Sequence, residues 1–119
     1  MPWFRIGCVF MFLAVALGAF GAHSLRVRLP PEMLAVFETG VRYHFYHALG
    51  LFAVSWLTER QASSLAAGAG WSFTIGILVF SGSLYVLSVT GQRWLGAVTP
   101  LGGLAFLVGW ALLFLASFR

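Results

Sequence analysis

Apolar residues run almost unbroken through four stretches of the 119-residue chain, near residues 4–22, 41–58, 70–89 and 94–118, and polar residues crowd into the intervals between them. Each stretch is close to the roughly 20 residues that carry an α-helix across about 30 Å of hydrocarbon. The pattern therefore predicts an all-α membrane protein, one domain over residues 1–119, built of four antiparallel transmembrane helices. The first run has one Arg near its start and ends in Ala16-Leu-Gly-Ala-Phe-Gly-Ala22, which looks like the small-residue end of a signal peptide. Its length from Ile6 onward reads better as a span. Ala14, Gly18 and Ala22 recur every four residues, and a face of small side chains lets a neighbouring helix approach closely, so that face is expected to point into the bundle.

The interval from His23 to Arg42 is the longest polar one. Pro30-Pro31-Glu32 reads as a helix start, with Pro31 in the first turn and Glu32 near the positive end of the helix dipole. Over 31–42, Met33, Leu34, Phe37 and Val41 share one face, opposite Glu32, Ala35, Glu38 and Arg42, which predicts a short amphipathic helix lying at the membrane interface. Gly40 is the expected bend between that helix and the second span. Glu38 and Arg42 are spaced i,i+4 in the favourable order, worth about 0.3 kcal/mol when exposed.

In the third span Ser72, Gly76 and Ser83 are small, while Thr74, Ser81, Tyr85 and Ser88 form a polar stripe at helical spacing that should avoid lipid. Thr90-Gly91-Gln92-Arg93 makes a tight connection, and Pro100 is expected to kink the fourth span beside Gly102 and Gly103. Gly109, further along that span, is another candidate packing position.

Composition sharpens the class. The chain is 61% hydrophobic and 8% charged, with seven Arg, three Glu, and neither Lys nor Asp. That excludes an ordinary soluble core, and it supplies no charge run that could track nucleic acid. The arginines read as interfacial anchors, and Trp3, Trp56 and Trp71 on one side with Tyr43, Tyr46 and Trp94 on the other read as aromatic belts. Cys8 is the single cysteine, so no intrachain disulfide forms. The antiparallel register brings His23, Arg42, His44, His47, Tyr85, Ser88, Arg93 and Thr99 toward one membrane side, a polar mouth with His47 and Tyr85 about one turn inside. Arg26, Arg28, Arg42 and Arg93 on that side, against Arg5, Arg60 and Arg119 on the other, favour a cytoplasmic mouth, with dual insertion as the alternative.

Within the mouth, at least two of His23, His47 and Tyr85 are expected within direct or water-bridged hydrogen-bonding reach, with Arg42 answered by Glu38 or a lipid phosphate. His44 and His47 at i,i+3 could join His23 as three nitrogen ligands to zinc, or two histidines could hold a haem, but no carboxylate stands ready as a second shell and no haem-attachment motif is present. Hydrogen bonding is the commoner fate of interfacial histidines, so no cofactor is expected. No Ser, His and acid constellation suggests an enzyme, and the glycines after Thr99 lack the Lys of a phosphate loop.

Gly18-Ala-Phe-Gly-Ala-His23, Val41-Arg-Tyr-His-Phe-Tyr-His-Ala-Leu49, Phe80-Ser-Gly-Ser-Leu-Tyr85 and Thr99-Pro-Leu-Gly-Gly103 resemble the domain of unknown function 423 family, whose animal relative is transmembrane protein 256. The likeness runs in order to Gly109-Trp110. It implies a four-span protein of the bacterial cytoplasmic (inner) membrane and marks His23, Arg42, His47, Tyr85 and Thr99-Pro100 as motif positions without giving them roles. Ser24 stands where the family usually has Gly, and His44 where Gln is also common. The leading expectation is a non-enzymatic bundle that stabilises the bilayer or a partner complex, in contact with lipid and with copies of itself or a larger membrane assembly. The alternative is a small transporter, or a lipid, small-ligand or metal-binding module, using His23, Arg42, His47 and Tyr85. Proton-coupled export of the small multidrug type is disfavoured, because residues 6–22 hold no acid.

Overall fold

A computed structural model describes residues 2–118, and its regular structure is entirely helical. Helix α1 covers Pro2–His23, a 3₁₀ turn at Leu25–Val27 follows, and α2 covers Pro31–Arg60. Helix α3 (Ser64–Gly76) passes through a π-helical turn at Ile77–Ser81 into α4 (Gly82–Thr90); a 3₁₀ turn at Arg93–Ala97 then leads to α5 (Thr99–Ala116). Counting α3 to α4 as one rod gives four helices. Three are long and apolar enough to cross a membrane: Pro2–Val27, Ser64–Thr90 and Arg93–Ala116. The remaining one, α2, carries Glu38, Arg42, His44 and His47 and is accordingly less apolar.

Four expectations about the helices give way. The interval 31–42 is not a separate helix, because α2 runs unbroken for 30 residues. Gly40 does not bend it; the glycine makes room instead, since a Cβ there would lie 2.9 Å from Cε1 of Tyr85. Pro100 sits in the first turn of α5, where its missing N–H costs nothing, so it starts that helix instead of kinking it. The third rod also begins at Ser64, before the expected residue 70, because the side chain of Ser63 caps it by accepting from the Ala66 N–H at 3.2 Å.

The rods pack by seating aromatic rings on glycines. Gly7 of α1 faces Phe52 of α2, and Gly21 faces Phe37, so early α1 meets late α2 and late α1 meets early α2. Gly76 faces Phe106, Gly109 faces Phe73 and Gly68 faces Leu112, which pairs the third rod with α5 in the same fashion. Gly50 lies against Phe73, and Gly70 lies against Trp3. Where no hydrophobic effect drives helices together, such close approach gives van der Waals contact its strength. The main core joins Trp3, Leu51, Val54, Ala69, Phe73, Ile77 and Phe106; a second cluster of Leu25, Phe37 and Val41 closes the α1–α2 end. Trp3, expected as an interfacial anchor, is a core residue, edge-on to Trp71 at 5.4 Å.

The small-residue face of α1 is also displaced from its expected register. Its buried residues are Gly7, Ala14 and Gly21, a seven-residue repeat, with Trp3 one turn before them, whereas Ala22 is exposed and Gly18 only half-buried. A repeat of seven keeps facing one partner, while a repeat of four drifts around the helix.

Candidate functional site

Two polar networks lie inside the bundle, three residues apart on α2. His47 is buried and has both ring nitrogens answered. Its Nε2 accepts from the Trp110 indole N–H at 3.0 Å, and because an indole nitrogen only donates, the ring proton must sit on Nδ1, which donates to the Tyr43 carbonyl at 2.8 Å. The ring lies flat on Phe106, centroids 3.5 Å apart and planes 5° from parallel, with Phe73 at 5.4 Å. This imidazole has no free lone pair for a metal and no acceptor to spare for a moving proton.

His44, also buried, faces elsewhere. Its Nδ1 lies 2.8 Å from the Tyr85 hydroxyl, and the edge of Phe10 from α1 closes the ring in. Its Nε2 is buried without a hydrogen-bond partner among the described residues. Ser81 anchors the same corner by donating to the Gly40 carbonyl at 2.7 Å from the end of the π turn. Single π turns inside helices recur at functional sites.

The rest of the expected mouth does not assemble around these rings. Tyr85 pairs with His44 and not with His47, and His23 is exposed at the end of α1. No direct hydrogen bond therefore joins any two of His23, His47 and Tyr85 among the described residues. Three residues along a helix turn a side chain by about 300°, so His44 and His47 lie about 60° apart around α2. That is enough to point one at α1 and α4 and the other at α5. No group of three His, Cys, Asp or Glu suited to a metal exists among the described residues, so the arrangement of His23, His44 and His47 as ligands is not formed. Arg42 and Glu38 are both exposed, and Arg42 donates to Thr39 Oγ1 at 3.4 Å and not to Glu38, the first of the two expected partners, the other being a lipid phosphate. Ser88 donates to the Tyr85 carbonyl, and Ser83 joins Thr99 and the Phe80 carbonyl, so these hydroxyls are occupied locally. Gly102 packs directly on the Phe80 backbone and Gly103 stands off the Phe80 ring.

Sequence reasoning did not single out Trp110 or Phe106 as the partners of His47. A signal existed for the first, since Trp110 is an indole deep in an apolar run, where its N–H must find an acceptor.

The family described as "Protein of unknown function (DUF423)" matches residues 17–103. Among similar proteins, the UPF0382 membrane protein YwdK of Bacillus subtilis is 49% identical over 115 residues, covering 96% of this chain and 94% of the relative. A UPF0382 membrane protein of Haemophilus influenzae is 40% identical, covering 91% of this chain and 86% of the relative. The UPF0382 inner membrane protein YgdD of Escherichia coli is 36% identical, covering 91% and 82%. No solved structure matches.

Proposed function

The chain belongs to the DUF423 family, and on that premise we propose that it is a multi-pass protein of the bacterial inner membrane whose work is done by packing and not by catalysis. Four antiparallel spans are part of this reading, α2 being the fourth. Contacts in which residue numbers fall on one rod as they rise on the next, such as Gly7 with Phe52 and Gly21 with Phe37, support it. The observation that carries the functional reading is the closure of His47: both its nitrogens and one ring face are committed to neighbouring helices. A bundle that spends its interior polar groups on its own cohesion acts through its outer faces, on the bilayer, on copies of itself or on a larger membrane complex.

The rival, a metal or small-ligand module at His23, Arg42, His47 and Tyr85, requires those groups to converge. One experiment separates the two. Anything that binds the folded state alone raises its stability, by about 2.7 kcal/mol at one hundred times its Kd. Detergent-purified protein titrated with zinc should keep its thermal midpoint, and EDTA should leave it unchanged. A saturable rise with zinc, lost in a His47→Gln variant, would sink the packing reading. Labelling single cysteines at positions 26, 62 and 92 from either side of the membrane, in a Cys8→Ser background, tests the topology separately: 26 and 92 should react from one side and 62 from the other.

A further inference from the structure

A cleft of about 440 Å³ opens between α1 and the first turns of α2, lined by Gly18, Gly21, Ala22, Phe37, Glu38, Val41 and Arg42. It falls within the roughly 300–1,000 Å³ of small-ligand sites. Its lining is graded. Glu38 and Arg42, one helical turn apart, are both exposed and hold opposite charges at the rim, while glycines and the apolar Phe37 and Val41 form the floor. At Gly18 the α1 wall stands back, since a Cβ there would meet Val41 only at 3.4 Å and Phe45 at 3.9 Å, while Gly21 is covered by the Phe37 ring.

We propose that this cleft holds the headgroup and first acyl carbons of a zwitterionic phospholipid bearing a primary ammonium, of the phosphatidylethanolamine type. The proposal rests on the reading of α1 and α2 as spans, which sets the rim at headgroup depth. Charge complementarity selects the occupant. Arg42 presents a planar donor fork suited to a phosphate, and Glu38 accepts hydrogen bonds from an ammonium N–H. Arg42 is available for this because its one side-chain hydrogen bond among the described residues is a long 3.4 Å contact with Thr39. An anionic headgroup without an ammonium would leave Glu38 repelled, and a choline headgroup has no N–H to offer. The floor then receives the start of an acyl chain, where a polar ligand without a tail would gain nothing.

The test is native mass spectrometry of the whole protein exchanged into detergent with equimolar phosphatidylethanolamine, phosphatidylcholine and phosphatidylglycerol. Phosphatidylethanolamine should be retained about tenfold over each of the others, the size expected for one charge-assisted hydrogen bond. E38Q should abolish the preference over phosphatidylglycerol, R42Q should weaken retention of all three, and G18L should fill the cleft and remove bound lipid. R93Q, remote from the cleft, should behave as the parent. Equal retention of the three lipids overturns the proposal, as does preference for phosphatidylglycerol, or a stable dimer that takes up no lipid. Phase separation in detergent, read on the same samples, tests the membrane reading itself, so failure of that premise is distinguishable from failure of the lipid assignment.

Discussion

The two buried histidines sit three residues apart on one helix and live in different surroundings. His47 belongs to a block formed by α2, the third rod and α5, where rings of Phe73, Phe106 and Trp110 close on it and the glycines opposite leave no slack. His44 belongs to a junction of α1, α2 and α4, where one nitrogen has a partner, the other has none among the described residues, and the Glu38–Arg42 cleft opens nearby between α1 and α2. A buried polar group stabilises only when it is satisfied, and an unsatisfied one costs about 1–3 kcal/mol. The difference lies in their polar groups, since both regions are closely packed: the block satisfies its buried imidazole, and the junction carries one buried nitrogen without a partner among the described residues.

The largest effect should come from the block's closest contact. A Cβ added at Gly76 would collide with the Phe106 ring, itself held beneath His47, and would lie 3.2 Å from the Gly102 carbonyl. Gly76→Leu should cost about 3 kcal/mol, the upper part of the usual range for overpacking, or prevent folding. Gly103→Leu on the facing helix starts 3.8 Å from Phe80 and should cost about 0.5 kcal/mol. Unfolding by titrated denaturing detergent measures both; equal losses would mean the block is not tight.

Next comes His47 itself. Replacing it with Phe strands the Trp110 N–H and should cost about 2 kcal/mol, while a Trp110→Phe background should recover part of the loss. Additive losses in the double variant would show that the His47–Trp110 bond contributes nothing. At the junction, His44→Phe loses the Tyr85 bond but also removes the orphaned nitrogen, so the two terms oppose and the net cost should be about 1 kcal/mol or less. A His44 variant less stable than its His47 counterpart would reverse the comparison.

Much of the architecture was legible because hydrocarbon imposes it: the apolar runs, the polar turn after Arg60 and the family motifs all follow from strings of side chains read alone. What was not legible depended on rotation of one helix against another. His44 and His47 look equivalent as an H-x-x-H pair until their helix is set among its neighbours, when 60° of rotation decides that Tyr85 answers the first and Trp110 the second. Gly40 reads as a breaker in sequence and serves as a seat for Tyr85 in space. The π turn at Ile77–Ser81 had no signature in composition, and the Ser81 to Gly40 bond at its end joins residues 41 apart in the chain.

The smallest effect tests the register of α1, where the two readings of its small residues part. Every fourth residue selects Gly18, and every seventh selects Gly21. A Cβ at Gly21 would lie 2.7 Å from Cε1 of Phe37, a ring with only 2% of its surface exposed and so without room to retreat. A Cβ at Gly18 would meet Val41 at 3.4 Å and Phe45 at 3.9 Å, which is ordinary contact. Helix propensity does not blur the comparison, because a span separated from its neighbours in the bilayer keeps its helical hydrogen bonds. Gly21→Ala should therefore cost about 1 kcal/mol through displacement of Phe37, and Gly18→Ala should be neutral within about 0.5 kcal/mol. The pair is read side by side in the same detergent titration. A larger loss at Gly18 than at Gly21 would restore the four-residue register and rotate α1 away from the contacts of Gly7 with Phe52 and of Gly21 with Phe37 on which the α1–α2 pairing depends.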